Sequence, residues 1–210
     1  VKGALGKGVK YIGQMAFQPC YHLHSVRWSD CLEVIDGSIF DGEPDRASYD
    51  QNSVATIPLR DTLFFPATFR SNKQISWCIH YSPVIVWNAK NPPASSSVFY
   101  NLDCYWNGDF LFGPDVEFVP AKLCQQVRMK KVELPEGCQY IGAGAFSSNN
   151  QLDTVILPST LTAIHQEAFK GCSKIKRITI PGNVKAINSS TFNGCTALTR
   201  VEMPVGISTI

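Results

Sequence analysis

The stretch "LPSTLTAIHQEAFKGCSKIKRITIPGNVKAINSSTFNGCTALTRVEMP", residues 157–204, decides how this chain is organised. It reads as two passes through one pattern. Pro135, Pro158, Pro181 and Pro204 stand 23 residues apart, as do Ile141, Ile164, Ile187 and Ile210. Phe146, Phe169 and Phe192 keep the same interval, and so do Leu152, Ile175 and Leu198, and Val155, Ile178 and Val201. Five columns sharing one period mark a repeat architecture. Within a unit, "LDTVILP", "IKRITIP" and "LTRVEMP" put apolar residues at positions 1, 4 and 6, the alternation of a short strand with one face inward. The proline lacks an N–H and ends the strand. Ile164, Ala168 and Phe169 then follow an i, i+4, i+5 spacing, which predicts one or two turns of helix, with Gly171 and Gly194 as its C-caps. One unit cannot bury its own apolar stripe, but stacked units can.

Outward from this stretch, Val9, Ile12, Phe17, Cys20, Leu23 and Val26 occupy the columns of Val184, Ile187, Phe192, Cys195, Leu198 and Val201, with Ile35 and Phe40 one period later. After a slip of six residues, Pro58, Phe64, Phe69, Ile75 and Cys78 read in the same columns. The expected organisation is repeats over 1–43, a polar exposed loop over 44–56, a degenerate repeat with an irregular aromatic-rich coil over 57–131, and regular repeats over 132–210. The fold class expected is α/β: a solenoid of parallel strands and short helical turns. The chain starts and stops inside a repeat, without a polar capping unit. Further chain beyond an end, or an end packed on another molecule, is expected.

Composition narrows the function classes. In 210 residues, 44 % apolar and 11 % aromatic content excludes global disorder. A net charge of +2 without a Lys/Arg block argues against nucleic acid or an anionic membrane as main partner. No apolar run reaches the roughly 18 residues of a spanning helix. The chain has no phosphate-binding loop, no dinucleotide fingerprint and no nucleophile elbow. No C-x-x-C or Cys/His zinc spacing appears either, so no cofactor or metal is expected. Cys20, Cys172 and Cys195 share one column and read as small buried residues. Cys104 and Cys124 are the candidates for a disulfide. Cys78 and His80, two apart on one strand face, could form a nucleophile pair, but Cys78 reads as a buried column position. His22, His24 and His165 are scattered, and His165 reads as a surface or capping residue.

Two candidate binding surfaces emerge. Between the core positions of each strand, side chains point outward. One column runs Lys131, Thr154, Arg177, Arg200 and the next Glu133, Ile156, Thr179, Glu202. The first reads either as a basic stripe for an acidic protein segment or a sulfated or sialylated glycan, or as ordinary solvated strand surface. The second surface is the aromatic middle: Trp77, Tyr81, Trp87, Phe99, Tyr100, Tyr105, Trp106, Phe110, Phe112 and Phe118. Aromatics stack on sugars and anchor interfaces, but an irregular coil also fills its core with them. Tyr105 and Trp106, in the turn-like "CYWNGD", are the exposed candidates.

The repeated text L-x-x-[VI]-x-[LI]-P followed by I-x-x-x-[AT]-F-x-G-C resembles the BspA-like leucine-rich repeats of bacterial surface proteins, Bacteroides-type bacteria among them. The resemblance covers 132–210 closely, 1–43 well and 44–131 weakly. It implies a curved right-handed solenoid, exported to the cell surface or secreted, with any lipid anchor on a segment outside this chain. It implies a non-catalytic scaffold that binds a host or matrix protein through its strand face, as adhesins do. The alternative is a glycan-binding module built on the aromatic middle.

Overall fold

The computed structural model describes residues 2–4, 6–17, 25–27, 29–36, 62–71, 84–94, 98–99 and 108–210. They form a parallel β-solenoid with two rows of short strands. One row holds β1 (Lys2–Ala4), β3 (Ser25–Arg27), β5 (Leu63–Phe65), β6 (Val84–Trp87), β7 (Asp109–Phe112), β9 (Lys131–Glu133), β11 (Thr154–Ile156), β13 (Arg177–Thr179) and β14 (Arg200–Glu202). The other holds β2 (Tyr11–Ile12), β4 (Val34–Ile35), β8 (Phe118–Val119), β10 (Tyr140–Ile141) and β12 (Ala163–Ile164). Register follows the repeat: Ile12 faces Ile35, Ile141 faces Ile164, Val132 faces Val155 and Ile178 faces Val201.

Where helical turns were expected, the described residues hold turns and no helix. The backbone hydrogen bonds give the reason. In an α-helix every interior amide bonds back four residues. Here alternate amides of the arc bond to the next coil instead: Gly144, Phe146 and Ser148 donate to the carbonyls of Gln166, Ala168 and Lys170. One coil later Glu167, Phe169 and Gly171 donate to Ser189, Thr191 and Asn193. The amides between them close three-residue turns, as Ala145 to Gly142 and Ser147 to Gly144. Glu167 and Ser190 take positive φ of 58° each, and Gly171 and Gly194 take 75° and 77°. Those two glycines therefore end tight turns, with the left-handed geometry their residue type permits. The arc is a third hydrogen-bonded ladder between coils.

The core is a continuous file of rings. Phe69, Phe65, Trp87, Phe99, Phe110, Phe112, Phe146, Phe169 and Phe192 follow one another at centroid separations of 5.0 to 5.9 Å. Phe146 stacks on Phe169 at 15° and Phe169 on Phe192 at 5°. Trp87, Phe99 and Phe110 of the aromatic middle are buried, and Phe112 and Phe118 are half-buried. Trp87, Phe99 and Phe110 fill the core, Phe112 packs against it, and Phe118 stacks on Tyr140 at 4.8 Å.

One assignment in the middle is corrected. Phe64, expected inward in the isoleucine column, is 40 % exposed, whereas Leu63 and Phe65 are buried. The strand-ending proline of that coil is Pro66. Phe69 donates its amide to the Pro66 carbonyl as Cys138 does to Pro135, Leu161 to Pro158 and Val184 to Pro181. Leu63 then pairs with Ile85 and Ile85 with Phe110, so coils of 22 and 25 residues continue the solenoid where the period of 23 fails. Pro58, Ile75, Cys78 and the loop over 44–56 lie outside the described residues.

Candidate functional site

The strand row from β9 to β14 carries the candidate face. Alternation sends Val132, Val155, Ile178 and Val201 inward and exposes Lys131, Thr154, Arg177 and Arg200 on one side of them, Glu133, Ile156, Thr179 and Glu202 on the other. Lys131 sits beside Thr154, Glu133 beside Ile156, Arg177 beside Arg200 and Thr179 beside Glu202. The expected columns are thus brought together on one surface.

The basic column is bordered by acidic side chains that neutralise part of it. Lys131 Nζ lies 2.6 Å from Glu133 Oε2, and Arg200 Nη2 lies 3.0 Å from Glu202 Oε1. The Thr179 hydroxyl donates to the other Glu202 oxygen at 2.8 Å. Such exposed pairs contribute little stability, about 0–1 kcal/mol each, but they cancel local charge. Arg177 has no carboxylate within ion-pair distance among the described residues.

Sequence reasoning missed what surrounds Arg177. The strand ladder breaks there. The Lys130 carbonyl accepts from the Asp153 and Thr154 amides, and the Lys176 carbonyl from Thr199 and Arg200. The equivalent bonds from Lys176 and Arg177 to the Asp153 carbonyl are not made, and β11 and β13 share no pairing. A groove of about 740 Å³ opens at this break, lined by Asp153, Thr154, Lys174, Lys176, Arg177 and Thr179, among others. A second groove of about 440 Å³ lies across β11 from it, lined by Phe112, Leu134, Ile156 and Leu157 with Glu133 and Glu136. Ile156 stands 44 % exposed at its edge. Glu136 accepts from the amide and hydroxyl of Ser159, which holds its carboxyl below the usual range. The lysines at the strand entry, Lys174 and Lys176 in "SKIKR", were the available signal for the first groove.

The cysteines form a structural column. Cys172 and Cys195 are buried and donate their thiols to the carbonyls of Phe146 and Phe169, each at 3.1 Å. Asn149 holds the same position one coil earlier. Its Nδ2 reaches the carbonyls of Cys124 at 2.7 Å and Phe146 at 2.8 Å. Burial pushes the Cys172 thiol up to about 12, against the activation a nucleophile needs. Cys124 is a free, fully buried thiol, also pushed up by burial, so the disulfide expected of it is not formed. His165 is exposed and sits edge-on to Tyr140. Among the described residues no three His, Cys, Asp or Glu side chains are grouped to hold a metal ion. No helix among them is long and apolar enough to cross a membrane. Tyr105, Trp106, Trp77, Tyr81, Tyr100, Cys20, Cys78, Cys104, His22, His24 and His80 lie outside the described residues.

A family model described as BspA type leucine rich repeat region matches residues 3–59 and 117–210, in six copies. Among solved structures, the pneumococcal vaccine antigen PcpA is similar at 19 % identity, covering 98 % of this chain and 51 % of its own, with a TM-score of 0.49. A leucine rich cell surface protein from Faecalibacterium prausnitzii is similar at 21 % identity over 96 % of this chain and 59 % of its own, with a TM-score of 0.41. A leucine-rich repeat protein from Bacteroides ovatus matches at 17 % identity over 99 % and 67 %, with a TM-score of 0.38. The chain spans 51 % to 67 % of the length of these three structures. No curated protein matches it.

Proposed function

Because the chain belongs to the BspA-type leucine-rich repeat family, we propose that it is a non-catalytic scaffold, displayed at a bacterial cell surface or secreted, that binds a protein or extracellular-matrix ligand through its strand face. The observation that carries this reading is the strand row β9 to β14, paired in register between β9 and β11 and between β13 and β14. It presents two outward columns, with grooves on either side of β11. Curved repeat arrays use such extended faces for docking. Binding there asks for no covalent step, and the buried thiols of Cys172 and Cys195 serve the core. The glycan-binding alternative rests on Tyr105 and Trp106, since the buried Trp87, Phe99 and Phe110 are committed to the core.

The test is surface plasmon resonance of the whole chain against purified extracellular-matrix proteins, with Ile156→Glu and Arg200→Glu on the strand face and Tyr11→Ala on the other strand row. A ligand whose affinity falls about ten-fold or more with the first two and holds with the third supports the reading. A ligand indifferent to both strand-face changes contradicts it. Protease shaving of intact cells that removes the chain supports surface display; full protection opposes it.

A further inference from the structure

We propose that the groove at the break between β11 and β13 binds an extended acidic peptide segment, with an apolar residue of that segment seated against Ile156 in the neighbouring groove. The inference rests on the strand-face reading above and narrows it to one site and one ligand chemistry.

Three observations converge. First, the cations are available. Lys176 and Arg177 make no ion pair among the described residues, and Lys174 is held only by the neutral Gln151 amide oxygen at 2.5 Å. Elsewhere on the face, Lys131 and Arg200 are already paired with Glu133 and Glu202. Attraction for an anion is therefore concentrated at one point of the row. Second, the Lys176 and Arg177 amides lack the bond to the preceding coil that the equivalent amides of Thr154 and Arg200 make. Backbone N–H groups beside cationic side chains suit a carboxylate, which accepts several hydrogen bonds at once. Asp153 is the one carboxylate in the lining, and its Oδ1 accepts from the Thr154 hydroxyl at 2.7 Å.

Third, β11 lines both grooves, Thr154 and Val155 the cationic one and Ile156 the apolar one. A ligand crossing β11 meets cations on one side. On the other it meets Phe112, Leu134, Ile156 and Leu157, rimmed by Glu133 and Glu136. A sulfated polysaccharide would carry its charges onto Glu136 and leave the apolar groove empty. A peptide can place carboxylates in the first groove and an aliphatic or aromatic side chain in the second, so the observations favour a peptide.

Fluorescence anisotropy with the whole chain tests this. The probes are a short dye-labelled Glu-rich peptide carrying one Leu-Phe pair, the same peptide with every Glu replaced by Lys, a Glu-rich peptide without the apolar pair, and labelled heparin. The first probe is expected to saturate and to weaken as salt rises. It should lose about ten-fold or more in affinity with Lys176→Glu and Arg177→Glu together, and remain unchanged with Lys122→Glu on the turn arc. Ile156→Asn, which adds no charge, should weaken the Leu-Phe peptide and leave the all-acidic one unaffected. All the substituted positions are exposed, and circular dichroism melts establish that each variant is folded. If the double reversal unfolds the chain, Lys176→Gln with Arg177→Gln replaces it, with a smaller loss in the same direction.

No saturable binding of the acidic peptide overturns the proposal, as does affinity indifferent to Lys176 and Arg177. Heparin bound more tightly than the peptide, through those same residues, also overturns it and assigns the groove to a sulfated glycan. A matrix ligand that depends on Ile156 and Arg200 but not on Lys176 and Arg177 refutes this inference alone and leaves the strand-face reading standing.

Discussion

Replacing Asn149 probes how one coil is held to the next. Its side chain is fully buried and bridges two coils through hydrogen bonds to the Cys124 and Phe146 carbonyls. In Asn149→Ala both bonds vanish, but the consequences differ. The Phe146 carbonyl keeps the Cys172 thiol as a donor, so it loses only a net bond of about 0.5–1.5 kcal/mol. The buried Cys124 carbonyl loses its side-chain donor and bears a desolvation cost of about 1–3 kcal/mol. Against this, Asn149 Oδ1 is buried without a partner, and removing it returns about 1 kcal/mol. The balance is a destabilisation of about 0.5–3.5 kcal/mol, centred near 2 kcal/mol, and at that centre a fall of about 4–8 °C in melting temperature for a chain of this size. Asn149→Cys should cost about 1 kcal/mol or less, because Cys172 and Cys195 already place a thiol on the corresponding carbonyl one and two coils on. Urea denaturation, followed by tryptophan fluorescence and circular dichroism, separates the two variants. Equal losses for Cys and Ala, or a loss below about 0.5 kcal/mol for Ala, would refute the column argument.

Three further outcomes are expected. Phe169→Ala removes a fully buried ring stacked on both sides and should cost about 3–5 kcal/mol in the same denaturation experiment; a loss below about 1 kcal/mol would show that the ring file carries no load. Gly142→Ala should destabilise by about 1–3 kcal/mol, since its Cβ would fall 2.4 Å from the Ala121 amide nitrogen, whereas Gly182→Ala meets nothing and should stay within about 0.5 kcal/mol of the parent by thermal melt. The thiols of Cys138 and Cys172 are raised from 9.0 to about 12 by burial, so the unfolded thiols ionise first as pH rises. Their contribution is intact below about pH 9 and lost progressively toward pH 12, visible as a melting temperature that declines over that interval; a melting temperature that climbs there would contradict the assignment.

Much of this architecture was legible because the columns are physical. A strand that alternates, a proline that ends it and a ring that stacks on its neighbour must recur at one interval, and Ile141, Ile164, Phe146 and Phe169 do. The arc was misread because the spacing of Ile164, Ala168 and Phe169 fits a helix equally well. Only the alternation of amides between Gly142–Ala145 turns and bonds to the next coil distinguishes the two. The register near Phe64 was misread because a fixed period of 23 does not allow for coils of 22 and 25 residues. The motif "LFFP", apolar at Leu63 and Phe65 before Pro66, was the better guide. On the strand face the exposed columns were readable from alternation alone. Pairing of Lys131 with Glu133 and of Arg200 with Glu202 joins residues two apart on one strand and was available in "KVE" and "RVE". The missing bonds at Asp153 depend on the neighbouring coil and leave no trace in one strand's sequence.

Successive coils support one another through a shared file of rings, and a double-mutant cycle measures that directly. Phe146 and Phe169 touch at 5.5 Å, whereas Phe146 and Phe192 are separated by the ring of Phe169. Substituting each by Ala, singly and in pairs, should reveal a coupling of about 0.5–1.5 kcal/mol for the touching pair. The coupling should be clearly smaller for the separated pair. Strict additivity for Phe146 with Phe169, within about 0.3 kcal/mol, would contradict the stacked spine and the rigid face it supports.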